Sequence, residues 1–112
     1  MPRRKRKVRR SLQPEPNKFA EGFVLRYSHI YFVESAFKHG ISEVDIHHAQ
    51  EHAIRIYEYF DESDRMRILM IGPNRSGNLL ELLVAVNPDT SLKIFHAMRL
   101  RPKFEGLINE VE

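Results

Sequence analysis

MRILMIGPNRSGNLLELLVAVNPDTSLKIFHAMRLR, running from Met66 to Arg101, is the stretch whose reading decides the fold. Leu79 to Val86 (LLELLVAV) has seven apolar residues in eight, interrupted only by Glu81, and a run of that length suits a strand covered on both faces. It is expected to be the central strand. The run before it, Met66 to Ile71, is separated from it by Gly72-Pro73-Asn74-Arg75-Ser76-Gly77-Asn78, where Gly and Asn tolerate positive φ and Pro lacks a ladder donor. Seven residues exceed a tight hairpin, so this Arg75-bearing connection reads as a working loop.

After the turn signal Asn87-Pro88-Asp89-Thr90, the run Leu92 to Met98 alternates. Leu92, Ile94, His96 and Met98 fall on one face, and Lys93, Phe95 and Ala97 on the other. His96 therefore shares a side with three apolar residues. It reads either as a core-edge histidine with one hydrogen bond or as a titratable group at a strand end beside Arg99 and Arg101.

Upstream, Ile54 to Phe60 (IRIYEYF) sets Ile54, Ile56 and Phe60 against Arg55, Tyr57 and Tyr59, and Asp61-Glu62-Ser63-Asp64 turns the chain back. Four consecutive strands are most simply an antiparallel meander. Ahead of them Ser42 is placed to cap a helix, with Asp45 at its third position. On that helix Ile46, Ala49 and Ala53 form one face, and Ile41, Val44, His48 and His52 a neighbouring one, either of which can meet the sheet. A helix is also predicted over Ile30 to His39, closed by Gly40 in a left-handed conformation.

Folded structure is expected to begin near Phe19. Phe19, Phe23, Tyr27, Tyr31, Phe32 and Phe37 are six of the eleven aromatic residues, spaced with a roughly helical rhythm, as core or as a base-stacking platform. At the other end Pro102 suits a helix start, and Lys103 to Val111 is amphipathic through Phe104, Leu107, Ile108 and Val111. The fold class that follows is α+β: a four-stranded antiparallel meander with N-terminal helices and a short C-terminal helix.

At 112 residues the chain is expected to form one domain with a real core. No cysteine is present, which removes disulfides, thiolate metal ligands and a cysteine nucleophile. No apolar run approaches the roughly 20 residues of a membrane span, and the basic N-terminus lacks the apolar region of a signal peptide, so a soluble, cytoplasmic protein is expected.

Net charge is +3, but its distribution is uneven. Arg3, Arg4, Lys5, Arg6, Lys7, Arg9 and Arg10 are seven of the eighteen basic residues, leaving eleven against fifteen acids, a body of net −4. A block of like charges repels itself, so residues 1–17 are expected to be a disordered basic arm and a proline-bearing linker, followed by a domain over 18–112. The arm fits three roles: a solvated tail, a phosphate-backbone grip, or, in PRRKRKV, an import-like signal.

His48-Ala49-Gln50-Glu51-His52 fits H-x-x-E-H, the inverted zinc-protease pattern, in which two histidines one turn apart share a metal. The chain leaves little room for that scaffold and a third ligand, so neither metal nor cofactor is predicted. RNA cutting without a metal needs a base for the 2′-hydroxyl, an acid for the leaving 5′-oxygen and cations for the phosphoryl oxygens. His96 or His39 can act as acid or base, with Arg67, Arg99 and Arg101 clamping the phosphate and Lys38 as a further cation.

Lys38-His39-Gly40-Ile41-Ser42 leading into a helix, a hairpin, an Ile71-Gly72 strand end, the Gly77-x-Leu79-Leu80 restart and a last strand closing on a small residue and arginine resemble, in this order and spacing, the BrnT-like toxins. These are compact members of the RelE-like ribonuclease group. The resemblance spans about Phe32 to Phe104. It implies the toxin of a type II toxin–antitoxin pair, an RNA-cutting enzyme held inactive by a cognate antitoxin protein, with Lys38 and His39 in the matching motif. The basic arm has no place in the pattern, His96 stands where a small polar residue is common, and Met98 intervenes before Arg99. The rival from another class is a non-catalytic nucleic-acid-binding or protein-interaction module that uses the arm.

Overall fold

In the computed structural model of the chain, residues 29–108 are described. The basic arm and its linker, the expected start near Phe19, the aromatic residues before Tyr31 and the end of the predicted C-terminal helix lie outside them.

The predicted central run forms the middle of a five-stranded sheet. Its strands are β1 (Ile30–Phe32), β2 (Arg55–Phe60), β3 (Met66–Pro73), β4 (Leu79–Val86) and β5 (Leu92–Arg99), in the order β1-β5-β4-β3-β2. β2 to β5 are the antiparallel meander, while β1 lies parallel to β5 and makes the sheet mixed. The expected four-stranded, wholly antiparallel sheet is corrected by this added edge. The helix predicted over Ile30 to His39 is replaced by β1 and a short 3-10 turn, Glu34–Phe37. Ile30, Tyr31, Phe32 and Val33 are β-branched or aromatic, residues that fit a pleated surface, and their side-chain rhythm mimicked a helix. Gly40 does take the left-handed conformation, at φ 81°.

One sheet face is the main core. Ile56, Met70, Leu82 and Ala97 are partners in successive ladders and form one row across four strands, all buried. Helix α1 (Glu43–Glu51) packs on this face through Ile46, Ala49 and, just past its end, Ala53. The Ser42 Oγ accepts from the Asp45 N–H at 3.2 Å, as the sequence predicts. The helix crosses so closely that a Cβ on Gly72 would meet the Ala49 carbonyl oxygen.

The opposite face carries two parallel rows, Tyr57–Leu69–Leu83–His96 and Arg55–Ile71–Glu81–Met98. Helix α2 (Pro102–Ile108) covers part of it with Phe104, Leu107 and Ile108. Tyr57 Oη donates to the Leu107 carbonyl and Arg55 Nη2 to that of Ile108, both at 3.0 Å, satisfying carbonyls at the helix end.

Two local departures from the sequence reading position the site. The loop after β3 is shorter than expected, because the strand runs on through Gly72 and Pro73 and the Asn74 side chain accepts from the Ser76 and Asn78 N–H groups, tightening a five-residue turn. In β5 the alternation breaks. Val84 pairs with Ile94 but Leu83 pairs with His96, leaving Phe95 as the extra residue of a β-bulge. His96 and Met98 are therefore moved to the face opposite Leu92 and Ile94, and Ala97 takes the core position.

Candidate functional site

Glu81 is the only acid of β4 and is fully buried. A carboxylate so placed needs cationic, hydrogen-bonding partners to offset its desolvation. It has them. His96 Nε2 lies 2.9 Å from Oε2, Arg101 Nε donates to the same oxygen at 2.9 Å with Nη2 beside it, and the Arg101 main-chain N–H donates to Oε1 at 3.0 Å. Burial pushes the Glu81 carboxyl up, but the Arg101 and His96 hydrogen bonds and the arginine charge outweigh it and hold the group below its usual value.

An ionised Glu81 only accepts, so the proton facing it is on His96 Nε2 and the lone pair of the neutral ring is on Nδ1. Burial lowers the His96 pKa, with the Glu81 contacts opposing and the Arg101 and His39 charges assisting. The ring is thus a neutral, oriented base near pH 7. The imidazole of His39 stands edge-on to it, with centroids 5.3 Å apart. Arg101 is 36% exposed and spends its Nε, Nη2 and main-chain N–H on Glu81, which leaves Nη1 without a hydrogen-bond partner among the described residues.

Of the residues singled out in the sequence, His96, His39 and Arg101 come together. Lys38 follows the 3-10 turn directly and adjoins His39 in the chain. Arg67 lies on the same sheet face, over the Phe95 ring at 5.3 Å from its centroid, with Nε 3.1 Å from Asp61. Arg99 is separated from them, since it pairs with Leu80 in the rows of the α1 face. Arg75 is held elsewhere: its Nε and main-chain N–H both donate to Asp45 Oδ1, at 2.9 and 3.0 Å. The Arg75 side-chain hydrogen bond is the main cause of an Asp45 pKa of about 2. These bonds clasp the expected working loop to the first turn of α1. The seven basic residues from Arg3 to Arg10 lie outside the described residues.

The H-x-x-E-H residues are engaged in other ways. His48 Nδ1 hydrogen-bonds the Pro73 carbonyl at 2.8 Å, His52 Nδ1 the His48 carbonyl at 2.9 Å, and Glu51 pairs with His47 at 3.1 Å. Among the described residues no group of three or more His, Cys, Asp or Glu side chains is arranged to hold a metal ion. No helix among them is long and apolar enough to cross a membrane.

The residue that sequence reasoning missed is Glu81. Its signal was its isolation: one acid in a run of seven apolar residues, with His96, Arg99 and Arg101 in the next strand and its continuation. Its partners were hidden by the bulge at Phe95, which shifts the phase of the strand carrying His96. No family model, no curated protein and no solved structure matches the chain.

Proposed function

We propose that the chain is a cytoplasmic, metal-independent endoribonuclease, the toxin of a type II toxin–antitoxin pair. The observation that carries the reading is the buried Glu81 carboxylate fixing His96 and Arg101 on one sheet face, with His39 at 5.3 Å from His96. His96 Nδ1 takes the 2′-hydroxyl proton, the 2′-oxygen attacks phosphorus, and the P–O5′ bond breaks to leave a 2′,3′-cyclic phosphate. His39 is the group that gives a proton to the departing 5′-oxygen. Arg101 Nη1 faces the charge that grows on the phosphoryl oxygens. Glu81, saturated with hydrogen bonds, orients the base and takes no proton.

The test combines a chemical and a cellular readout. Purified chain incubated with single-stranded RNA in the presence of a chelator is expected to give fragments with cyclic phosphate and 5′-hydroxyl ends, and His96→Ala to slow this by about 10²-fold or more. Induced expression is expected to arrest growth, with relief by the same substitution. Intact RNA and normal growth from folded wild-type protein reject the proposal.

A second reading, a non-catalytic RNA-binding module, is favoured by one feature: two cations on the sheet face of His96 are already ion-paired, Arg101 with Glu81 and Arg67 with Asp61. It predicts RNA binding that survives His96→Ala and no cleavage by either protein. If the basic arm carries that binding, deletion of residues 1–10 abolishes it and salt weakens it steeply.

A further inference from the structure

The cross-strand row that ends in His96 is also the floor of a cavity. Tyr57, Leu69 and Leu83 from that row, with Tyr59 beside them, line a hollow of 330 Å³. Phe104, Lys103 and Arg101 complete its wall. The volume is at the lower end of the roughly 300–1,000 Å³ typical of small-ligand sites. Leu83 and His96 are direct ladder partners, so the floor lies one strand spacing, about 4.8 Å, from the candidate base.

The lining has a definite chemistry. Among the described residues it offers three aromatic rings, two leucines and two cations, and no acid. Arg101 and Lys103 stand over the Phe104 ring at 5.5 and 5.1 Å from its centroid, which keeps both charges at the cavity wall. A neighbouring groove of 380 Å³ shares Tyr59 and Leu83 but is lined by Asp61, Glu62 and Ser63 as well as Arg65, Arg67 and Phe95. The acid-free cavity is the better match to a flat apolar ring attached to an anion. The acids make the neighbouring groove a poorer phosphate track.

We propose that this cavity seats one unpaired nucleobase of a single-stranded RNA, stacked between Phe104 and the tyrosine–leucine floor, with the adjoining phosphate on Arg101 and Lys103. The inference rests on the reading of the His96 site as one that acts on RNA, and it adds which part of the substrate is read. A base in a helix is stacked on both faces and paired along one edge and does not enter such a hollow, so duplex RNA is refused.

Binding is measured by fluorescence anisotropy on the full chain carrying His96→Ala, in about 0.3 M salt to suppress phosphate-only binding by the basic arm. The probes are labelled oligo-A, oligo-C, oligo-G and oligo-U and a duplex of equal length. One homopolymer is expected to bind about tenfold more tightly than the weakest, and the duplex at least tenfold more weakly than the best single strand. Phe104→Ala removes a stacking wall and Leu83→Trp fills the hollow. Each is expected to cost about tenfold in affinity, the loss of one stacked base, with a circular dichroism spectrum and a cooperative melt like those of the parent confirming that the chain is folded at the assay temperature. Methyl NMR of the wild-type chain with the four nucleoside monophosphates gives a test free of substitution, and Leu69 and Leu83 are expected to shift.

Equal binding of single strand and duplex, indifference to both substitutions, or unmoved Leu69 and Leu83 methyls overturns the proposal. Base-selective binding by a wild-type chain that does not cut RNA keeps the cavity and rejects the nuclease. Cleavage that is blind to base and untouched by Phe104→Ala keeps the nuclease and rejects the cavity.

Discussion

His96 Nε2 and Glu81 Oε2, 2.9 Å apart, join neighbouring strands of one sheet face, with a carboxylate that is fully buried and a ring that is 18% exposed. A single hydrogen bond thus links the interior of the sheet to a partly exposed ring at its surface. Removing the carboxylate strands Arg101 and frees the ring. Glu81→Ala is expected to destabilise the fold by about 2 kcal/mol, less than the 3–5 typical of a broken buried pair, because Arg101 is 36% exposed and can regain water. Urea unfolding measures it. A change under about 0.5 kcal/mol shows that the network carries no stability.

Acid is expected to weaken the fold in two stages. His96 has a folded pKa below its ordinary 6.5, so the unfolded chain binds the proton more readily. Its contribution is present above pH 6.5 and is lost as pH falls through the lowered folded value. Glu81 behaves alike from a lower start: its folded pKa is below 4.5, and its contribution disappears as pH falls from there through the folded value. Melting temperatures between pH 8 and 3 are expected to decline in both windows. His96→Gln should flatten the upper stage and leave the lower one, and an unaltered upper slope in that variant removes His96 as its source.

The same shift sets the pH profile of the proposed reaction. A base with a lowered pKa is deprotonated earlier, so the acidic limb of kcat/KM is expected to have its midpoint below 6.5. Glu81→Gln takes away the contacts that raise the His96 pKa and is expected to move that midpoint lower still. Movement to higher pH assigns the limb to another group.

How far the sequence discloses this arrangement differs by element. The apolar run Leu79–Val86 and the alternation of Arg55–Phe60 are long, regular patterns, and both strands are where periodicity puts them. The Ser42 cap is a local interaction, and it too is legible. Ile30–Phe32 is not, because three residues are too few to set a period and the strand depends on a parallel partner more than sixty residues away. The bulge at Phe95 is invisible for a related reason: it is a property of two strands in register, and it alone puts His96 beside Glu81. The site was therefore half legible. Its histidines and Arg101 stood out by type, whereas their common carboxylate needed the ladder.

Gly72 is expected to be intolerant of any side chain. It needs no positive φ; a Cβ there would lie 2.1 Å from the Ala49 carbonyl oxygen and 3.1 Å from the Ala53 Cα, both main-chain atoms that cannot swing aside. Gly72→Ala must push α1 off β3 and is expected to cost about 3 kcal/mol, the upper part of the range for overpacking. Gly106→Ala, with open space at its Cβ, is the control and should be neutral or slightly stabilising through helix propensity. Equal melting temperatures for the two variants contradict the close crossing.

Gln50 makes the converse case, a buried group whose removal should help. It is 7% exposed on α1, beside the stripe of Ile46, Ala49 and Ala53, and its side-chain amide has no hydrogen-bond partner among the described residues. An amide taken from water without a partner carries a desolvation cost of about 1–3 kcal/mol. Methionine has nearly the same length and flexibility and no such cost, so it can fill the space without overpacking. Gln50→Met is expected to raise stability by about 1 kcal/mol, whereas Gln50→Ala, which leaves a void, should gain less or lose. Unfolding curves for the pair separate the two terms. A destabilising methionine combined with a harmless alanine shows that the site rejects bulk and that the amide is satisfied.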